Sequence, residues 1–141
     1  GLPTGQAVPQ TGGSKQQSDP GRSGSTSKLR PIRRNHSMTA LVVMTTLPDS
    51  SAAVKLARTL VEHHSAACVH ILPAGQSIYR WKGRIETASE CTLIIKCTEA
   101  VYPLLERVIL EQHPYELPEI LALPVARGLD AYLGWIAEQT A

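Results

Sequence analysis

The chain has 141 residues, which suits one domain with additional sequence better than two independent domains. Six basic residues against one acidic residue give residues 1–37 a formal charge of +5, and the net charge of +2 for the whole chain then leaves −3 for residues 38–141. The part with folding potential therefore offers no basic surface for nucleic acid, and no run approaches the roughly 20 apolar residues that a membrane-spanning helix requires.

Residues 1–37 are rich in Gly, Pro, Ser and Gln and contain no aromatic residue, so they bury too little apolar surface to offset the entropy of ordering. We predict a disordered arm and a folded domain over residues 38–141. An expression leader, a natural linker and an organelle-targeting peptide all fit the arm, and Met38, just before the first strand-like run, favours the leader.

The domain opens with residues 39–47, a β-branched and apolar run typical of a strand buried on both faces. Pro48 ends this strand. Asp49 and Ser50 are candidate N-caps for a helix that we expect to run to about His64. Apolar residues recur in this helix at the spacing of one buried stripe: Ala53, Leu56, Ala57 and Leu60.

A long hairpin follows the first helix. Residues 66–82 predict a second strand interrupted at residues 73–75, where a proline and a glycine indicate a bend. Lys82 and Gly83 predict a short turn, and residues 84–97 predict a long third strand. Together the two strands form a hairpin longer than a small domain usually needs.

The remaining sequence predicts a helix, a strand and a final helix. Pro103 suits the first turn of the second helix, and Pro114 ends it. Residues 119–125 predict a fourth strand, which Pro124 places at a sheet edge because proline cannot donate to a neighbouring strand. The last helix carries Leu129, Tyr132, Leu133 and Ile136.

This order of elements, βαββαβ followed by α, predicts an α+β fold of the ferredoxin-like type. Its antiparallel sheet carries helices on one face. A chain of this size leaves the other sheet face and the long hairpin poorly covered, so we expect self-association. The three cysteines, Cys68, Cys91 and Cys97, have no C-x-x-C spacing and indicate reduced thiols in a cytoplasmic protein.

Short motifs that follow one another at characteristic spacing carry a resemblance to a known family. They are Ala66-Ala-Cys68, Ser77-Ile-Tyr79-x-Trp81-x-Gly83, Glu90, Lys96, His113-Pro-Tyr115-x-x-Pro-Glu119, Ala122-Leu-Pro-Val125 and Tyr132-Leu-x-Trp135. On these motifs, residues 39–139 resemble the CutA family of divalent-cation tolerance proteins. The resemblance implies a homotrimer in which long hairpins pair or pack against neighbouring subunits, and a role in tolerance to divalent cations, copper above all.

The resemblance also implies a metal site, but this chain departs from it. Family members credited with copper binding use a cysteine at the end of the first strand and a histidine pair before the Pro-Tyr element. Here those positions are Thr45 and Gln112-His113. His113, with Glu119 as a nearby acid, is what remains, so we expect copper or another divalent cation to bind weakly. His113 also has a structural interpretation as a helix C-terminal cap, which we favour.

A second candidate site involves aromatic and charged residues of the hairpin and its surroundings: Tyr79, Trp81, Glu90, Lys96 and Tyr115. Tyr79 and Trp81 share one strand face, and Lys96 could bind a small anionic ligand or pair with Glu90, in a pocket between subunits. Aromatic residues on a projecting hairpin are also typical anchors of a protein interface. We favour the interface.

Local sequence shows no Ser/His/Asp or Cys/His arrangement and no Gly-rich phosphate loop, so we expect a non-enzymatic protein. Three functions stay open. The first is a trimeric metal-response protein, the second is a trimeric small-ligand sensor similar in assembly to the PII-type signalling proteins, and the third is a structural trimeric scaffold.

Overall fold

The computed structural model describes residues 38–141, so the disordered arm predicted for residues 1–37 lies outside the described residues. The described chain forms five strands and three helices. They are β1 (Ala40–Leu47), α1 (Ser50–Glu62), β2 (Cys68–Ile71), β3 (Gly75–Trp81), β4 (Arg84–Thr98), α2 (Tyr102–Gln112), β5 (Leu121–Pro124) and α3 (Asp130–Gln139). The predicted ferredoxin-like order is confirmed, and the predicted interruption at Pro73 separates β2 from β3.

All strand pairs of the sheet are antiparallel, and the main strand order is β2-β4-β1-β5. The 15-residue strand β4 pairs with β1 and β2 along its second half and with β3 along its first half. Lys82 and Gly83 close the β3–β4 hairpin with φ values of +48° and +80°, the left-handed conformation that a two-residue hairpin turn requires. β5 lies at the sheet edge, as Pro124 predicted.

The core lies between one sheet face and the first two helices. Alternate residues of β1 and β4 point to this face because side chains alternate along a strand, and Val43, Leu93 and Ile95 are completely buried. α1 presents its predicted apolar stripe to them. Asp49 caps α1, its Oδ1 accepting a hydrogen bond from the main-chain N–H of Ala52 at 2.8 Å.

Two helix boundaries differ from those that the sequence predicted. α1 ends at Glu62, two residues earlier than predicted, because His64 has a left-handed φ of +57° that a right-handed helix cannot accommodate. Leu129, expected to be carried on the last helix, is instead the residue that precedes α3, and its side chain is exposed.

α3 covers one end of the opposite sheet face. Its buried Ile136 packs against Ala40, and Ala40 points away from the main core because it alternates with Leu41 along β1. His64 Nδ1 donates a hydrogen bond to the carbonyl oxygen of Gln139 at 3.1 Å, which ties the end of α3 to the end of α1. α1 and α2 thus share one face, and α3 lies on the other.

A large apolar surface is left uncovered by the described chain. Leu121 and Leu123 of β5 are exposed on the second sheet face, and Ile78 and Ile85 of the hairpin are 70% and 61% exposed. Most positions in the first half of β4 are exposed, in contrast to its second half. Over residues 38–141, no helix has both the length and the apolar content needed to cross a membrane.

Candidate functional site

A cavity of about 1040 Å³ lies between the β3–β4 hairpin and the segment that links α2 to β5. Four of the predicted pocket residues line it: Tyr79, Trp81, Glu90 and Tyr115. Glu119, predicted as a metal ligand, lines it too. The fold thus brings together residues of β3, of β4 and of the segment after α2 that are far apart in the sequence.

Glu90 is the centre of a hydrogen-bonded cluster at the floor of this cavity. Its carboxylate accepts hydrogen bonds from the hydroxyl groups of Ser77 on β3, Tyr115 after α2 and Thr46 on β1. Burial alone would raise the pKa of Glu90, but these hydrogen bonds, together with an electrostatic contribution from the nearby His113 ring, lower the pKa below its ordinary value of 4.5. The carboxylate is therefore held in its ionised form.

The pKa of Tyr115 shifts in the opposite direction to that of Glu90. Burial first, and then the hydrogen bond to Glu90 and its negative charge, raise the pKa of Tyr115 to about 12. A phenol with this pKa keeps its proton throughout the physiological range, so it remains a donor to Glu90. The pair is a stable donor–acceptor contact between β4 and the segment after α2.

His113 fixes that segment against β1. Its Nε2 donates a hydrogen bond to the carbonyl oxygen of Thr46 at 2.7 Å, and its Nδ1 accepts one from the main-chain N–H of Tyr115 at 3.1 Å. The roles follow because a carbonyl oxygen can only accept and an amide N–H can only donate. The side chain therefore bonds to a strand carbonyl, not to the helix carbonyls that the capping interpretation named, although His113 is the C-cap residue of α2.

The other residues of the proposed metal site do not add donors beside His113. Thr45 is completely buried, and its hydroxyl has no hydrogen-bond partner among residues 38–141. Gln112 is exposed at the end of α2. In the part of the chain that the structure describes, no three His, Cys, Asp or Glu side chains converge as a metal would require.

Lys96 does not belong to the cavity of its own chain. It lies on β4 opposite Val42 of β1 and Cys68 of β2, six residues along an extended strand from Glu90. That spacing corresponds to about 20 Å, so the predicted Lys96–Glu90 pair cannot form within one chain.

Sequence reasoning missed three residues of the site. Thr46 and Ser77 are donors to Glu90, and Glu116 lines the cavity. Ser77 stood in one of the family motifs, which was a usable signal. Thr46 and Glu116 gave none, because their proximity to Glu90 depends on how distant segments pack.

Comparisons with known proteins identify relatives of this chain. The family model described as CutA1 divalent ion tolerance protein matches residues 41–139. The Divalent-cation tolerance protein CutA of Thermus thermophilus is 43% identical over 99 residues, covering 70% of this chain and 96% of the relative. Protein CutA of Homo sapiens is 42% identical over 95 residues, covering 67% of this chain and 53% of the relative. The chain thus spans nearly all of the bacterial relative but about half of the human one.

Solved structures of such proteins have the same fold. The Thermus thermophilus divalent cation tolerance protein superposes with a TM-score of 0.71 at 42% identity, covering 72% of this chain and 99% of that one. CutA1 from Oryza sativa superposes with a TM-score of 0.72 at 34% identity, covering 76% and 98%.

Proposed function

The chain belongs to the CutA1 divalent ion tolerance family, and on that basis we propose that it acts as a homotrimeric, non-enzymatic protein of divalent-cation tolerance with weak affinity for metal. The observation that carries the proposal is the exposed apolar surface of the hairpin and of β5, which one chain leaves uncovered. The number of subunits, three, is taken from the family resemblance.

Self-assembly accounts for the exposed hairpin. A two-stranded ribbon is marginally stable by itself in water, yet most side chains of β3 and of the first half of β4 are left exposed by residues 38–141. The ribbon exposes Ile78 and Ile85, and the edge strand β5 exposes Leu121 and Leu123. Sister copies that bury these side chains would gain hydrophobic free energy and cover the strand edges.

Weak metal affinity follows from the donors. Copper favours imidazole and thiolate ligands, but both ring nitrogens of His113 already form hydrogen bonds. Thr45 offers a buried hydroxyl where the resemblance implies a thiol. A metal at this place would have to displace contacts that hold the segment after α2 against β1.

A non-enzymatic role is consistent with the hydroxyl groups in the cavity. Those of Thr46, Ser77 and Tyr115 all donate to Glu90, which keeps them protonated and occupied. The imidazole of His113 is held by main-chain groups, so it cannot act as a base toward these hydroxyls.

The assembly is tested by measuring the particle mass with light scattering. We expect the mass of three chains for the unaltered protein and a smaller mass for Trp81→Ala, because a large aromatic anchor carries much of the energy of an interface. Val54→Ala is the matched control, since Val54 is an exposed apolar residue on the outer side of α1. A monomeric unaltered protein would refute the proposal, and a trimeric Trp81→Ala would show that the hairpin is not the anchor.

The metal component is tested by titrating copper and zinc into tag-free protein in a calorimeter. We expect no saturable binding at micromolar metal, and the same result for His113→Ala. Thermal unfolding of the variant shows whether it remains folded without its contact to Thr46. Micromolar binding that His113→Ala abolishes would contradict the weak-affinity part of the proposal.

A further inference from the structure

A half-buried lysine lies on the sheet face that the proposed assembly covers. Lys96 of β4 pairs with Val42 of β1 and with Cys68 of β2. Side chains alternate along a strand, so Lys96 points away from the helices, unlike the buried Ile95. Leu123 of β5 continues the same row beside Val42 and is exposed. The row therefore places one positive charge among apolar side chains that sister copies would bury.

This ammonium group needs a counter-charge once the face is covered. A charged group that is taken out of water is destabilising unless an opposite charge meets it. Four side chains are the direct neighbours of Lys96 on this face, and none of the four is acidic: Val42, Cys68, Ile94 and Thr98. The counter-charge therefore has to come from farther away, and a sister copy is what covers the face.

Glu90 has the complementary need. It lies on β4 six positions before Lys96, so both side chains are on the same sheet face, about 20 Å apart. A carboxylate has about four acceptor sites, and the hydroxyl groups of Thr46, Ser77 and Tyr115 take three of them. In the described chain, no lysine or arginine lines the cavity beside this carboxylate. One further donor with a positive charge would complete its contacts.

The cavity beside Glu90 is open to a sister copy in the assembled protein. Ile78, Trp81 and Leu121 line it, and these are side chains that the proposed trimer buries between subunits. A sister chain thus supplies part of the wall around Glu90, and the covered face of that chain carries Lys96. Copies that each offer one surface and receive a different one form a ring when the rotation between them closes.

We propose that Lys96 of each copy forms an ion pair with Glu90 of the partner subunit. Every copy then gives one ammonium group and receives one at its own carboxylate, so a closed ring leaves neither charge unpaired. Because the two residues are about 20 Å apart in one chain, the pair requires two chains. The inference rests on the proposed homotrimer and names the charged contact that positions neighbouring copies.

A double-mutant cycle on the full chain tests the pair. Lys96→Met keeps the aliphatic stem without its charge, and Glu90→Gln keeps the shape of the side chain. Light scattering in a urea series measures the urea midpoint at which half of the assembly is lost. We expect each single variant to lower this midpoint, and the double variant to have about the midpoint of Glu90→Gln, because Lys96→Met then removes a charge whose partner is already gone.

The cycle separates the contact between copies from effects inside one chain. Glu90→Gln also weakens hydrogen bonds within its own chain, but this loss occurs in both arms of the cycle and cancels. Lys96→Arg keeps the charge and should retain most of the midpoint that Lys96→Met loses. The comparison of these two Lys96 variants stays decisive if Glu90→Gln does not assemble.

Two further cycles are controls. Lys55 is an exposed lysine on α1, on the other side of the sheet, so Lys55→Met and Glu90→Gln should shift the midpoint additively. Glu119 is an exposed glutamate that lines the same cavity, and combining Lys96→Met with Glu119→Gln distinguishes this acid from Glu90. We expect additive shifts there too.

Several results would overturn the inference. Additive shifts for Lys96→Met and Glu90→Gln would show that the two charges do not meet. Coupling of Lys96 to Glu119 instead would place the ammonium group at a different acid. An unchanged or higher midpoint for Lys96→Met would show that its charge stays in the solvent. A monomeric unaltered protein would refute the proposed trimer itself, whereas the other results are obtained on a trimer and concern only the pair.

Discussion

β4 passes through two environments along its 15 residues. Its second half pairs on both sides, and Cys91, Leu93, Ile95 and Cys97 are buried beneath the helices. Its first half pairs with β3 alone, and most of its side chains are exposed. The same strand is therefore stabilised by burial at one end and mainly by main-chain hydrogen bonds at the other.

This difference shows which part of the sheet one chain can stabilise by burial within itself. Burial of apolar side chains is the main source of folding free energy, and the helix-covered half contains nearly all of it. The hairpin half keeps its shape at the cost of exposing apolar side chains, which is useful for contacts with something outside the chain. Glu90 lies where the two halves meet.

The largest expected effect comes from truncating the covered half. Leu93→Ala should lower the free energy of unfolding by about 2–5 kcal/mol, because the side chain is completely buried and its loss leaves a cavity. Ile85→Ala on the same strand should change the free energy of unfolding of the dilute chain by about 0.5 kcal/mol or less, since Ile85 is exposed. Urea unfolding measures both. Similar losses in the two variants would break the distinction between the halves.

A smaller effect is expected at the junction. Glu90→Gln should lower the free energy of unfolding by about 1–3 kcal/mol at neutral pH, because the hydroxyls of Ser77, Thr46 and Tyr115 lose an ionised acceptor. Since folding lowers the pKa of Glu90 from 4.5, the stabilisation is complete above that pH and is lost as the pH falls through the lower folded value.

The difference between the unaltered chain and Glu90→Gln should therefore shrink on acidification, as measured by urea unfolding at several pH values below 4.5. Glu86→Gln is the control, because Glu86 is an exposed glutamate on the same strand, opposite Tyr79. A difference that persists in acid would show that the carboxylate charge does not stabilise the junction.

The smallest expected effect separates two adjacent threonines. Thr45→Val should raise the free energy of unfolding by about 1 kcal/mol, because it removes a buried hydroxyl that has no partner within the described part of the chain. Thr46→Val should lower it by a similar amount, since the Thr46 hydroxyl donates to Glu90. Thermal unfolding of the two variants measures the sign. If Thr45→Val were destabilising, the Thr45 hydroxyl must have a partner in the folded protein.

Local sequence patterns were sufficient for most of the fold. Apolar periodicity located the helices, and Pro124 identified the edge strand. Lys82 and Gly83 identified the hairpin turn because the conformation they need is local. These features depend on residues close in sequence, where periodicity and turn chemistry act directly.

The candidate site was less predictable, because it depends on strand register and packing. The sequence could not show that Thr46 and Ser77 meet Glu90, since this relation depends on which strands pair and in which register. The distance from Lys96 to Glu90, in contrast, already followed from placing both residues on one predicted strand. The position of α3 on the second sheet face was equally hidden, because an amphipathic helix does not reveal which surface it covers.

The tight turn at Lys82–Gly83 has a consequence for the order of folding. The hairpin joins neighbours in sequence, so its closure costs little entropy and needs about 1–10 μs, whereas the closest β1–β4 pair, Leu47 and Cys91, is 44 positions apart. We expect the least buried part of the sheet to form transiently before the core that later anchors it. Because a lone two-stranded ribbon is only marginally stable, pulsed hydrogen exchange should show lasting protection of its amides only once the core has formed. Newly made chains would then expose the apolar side chains of this hairpin to one another while the rest of the molecule is still unstructured.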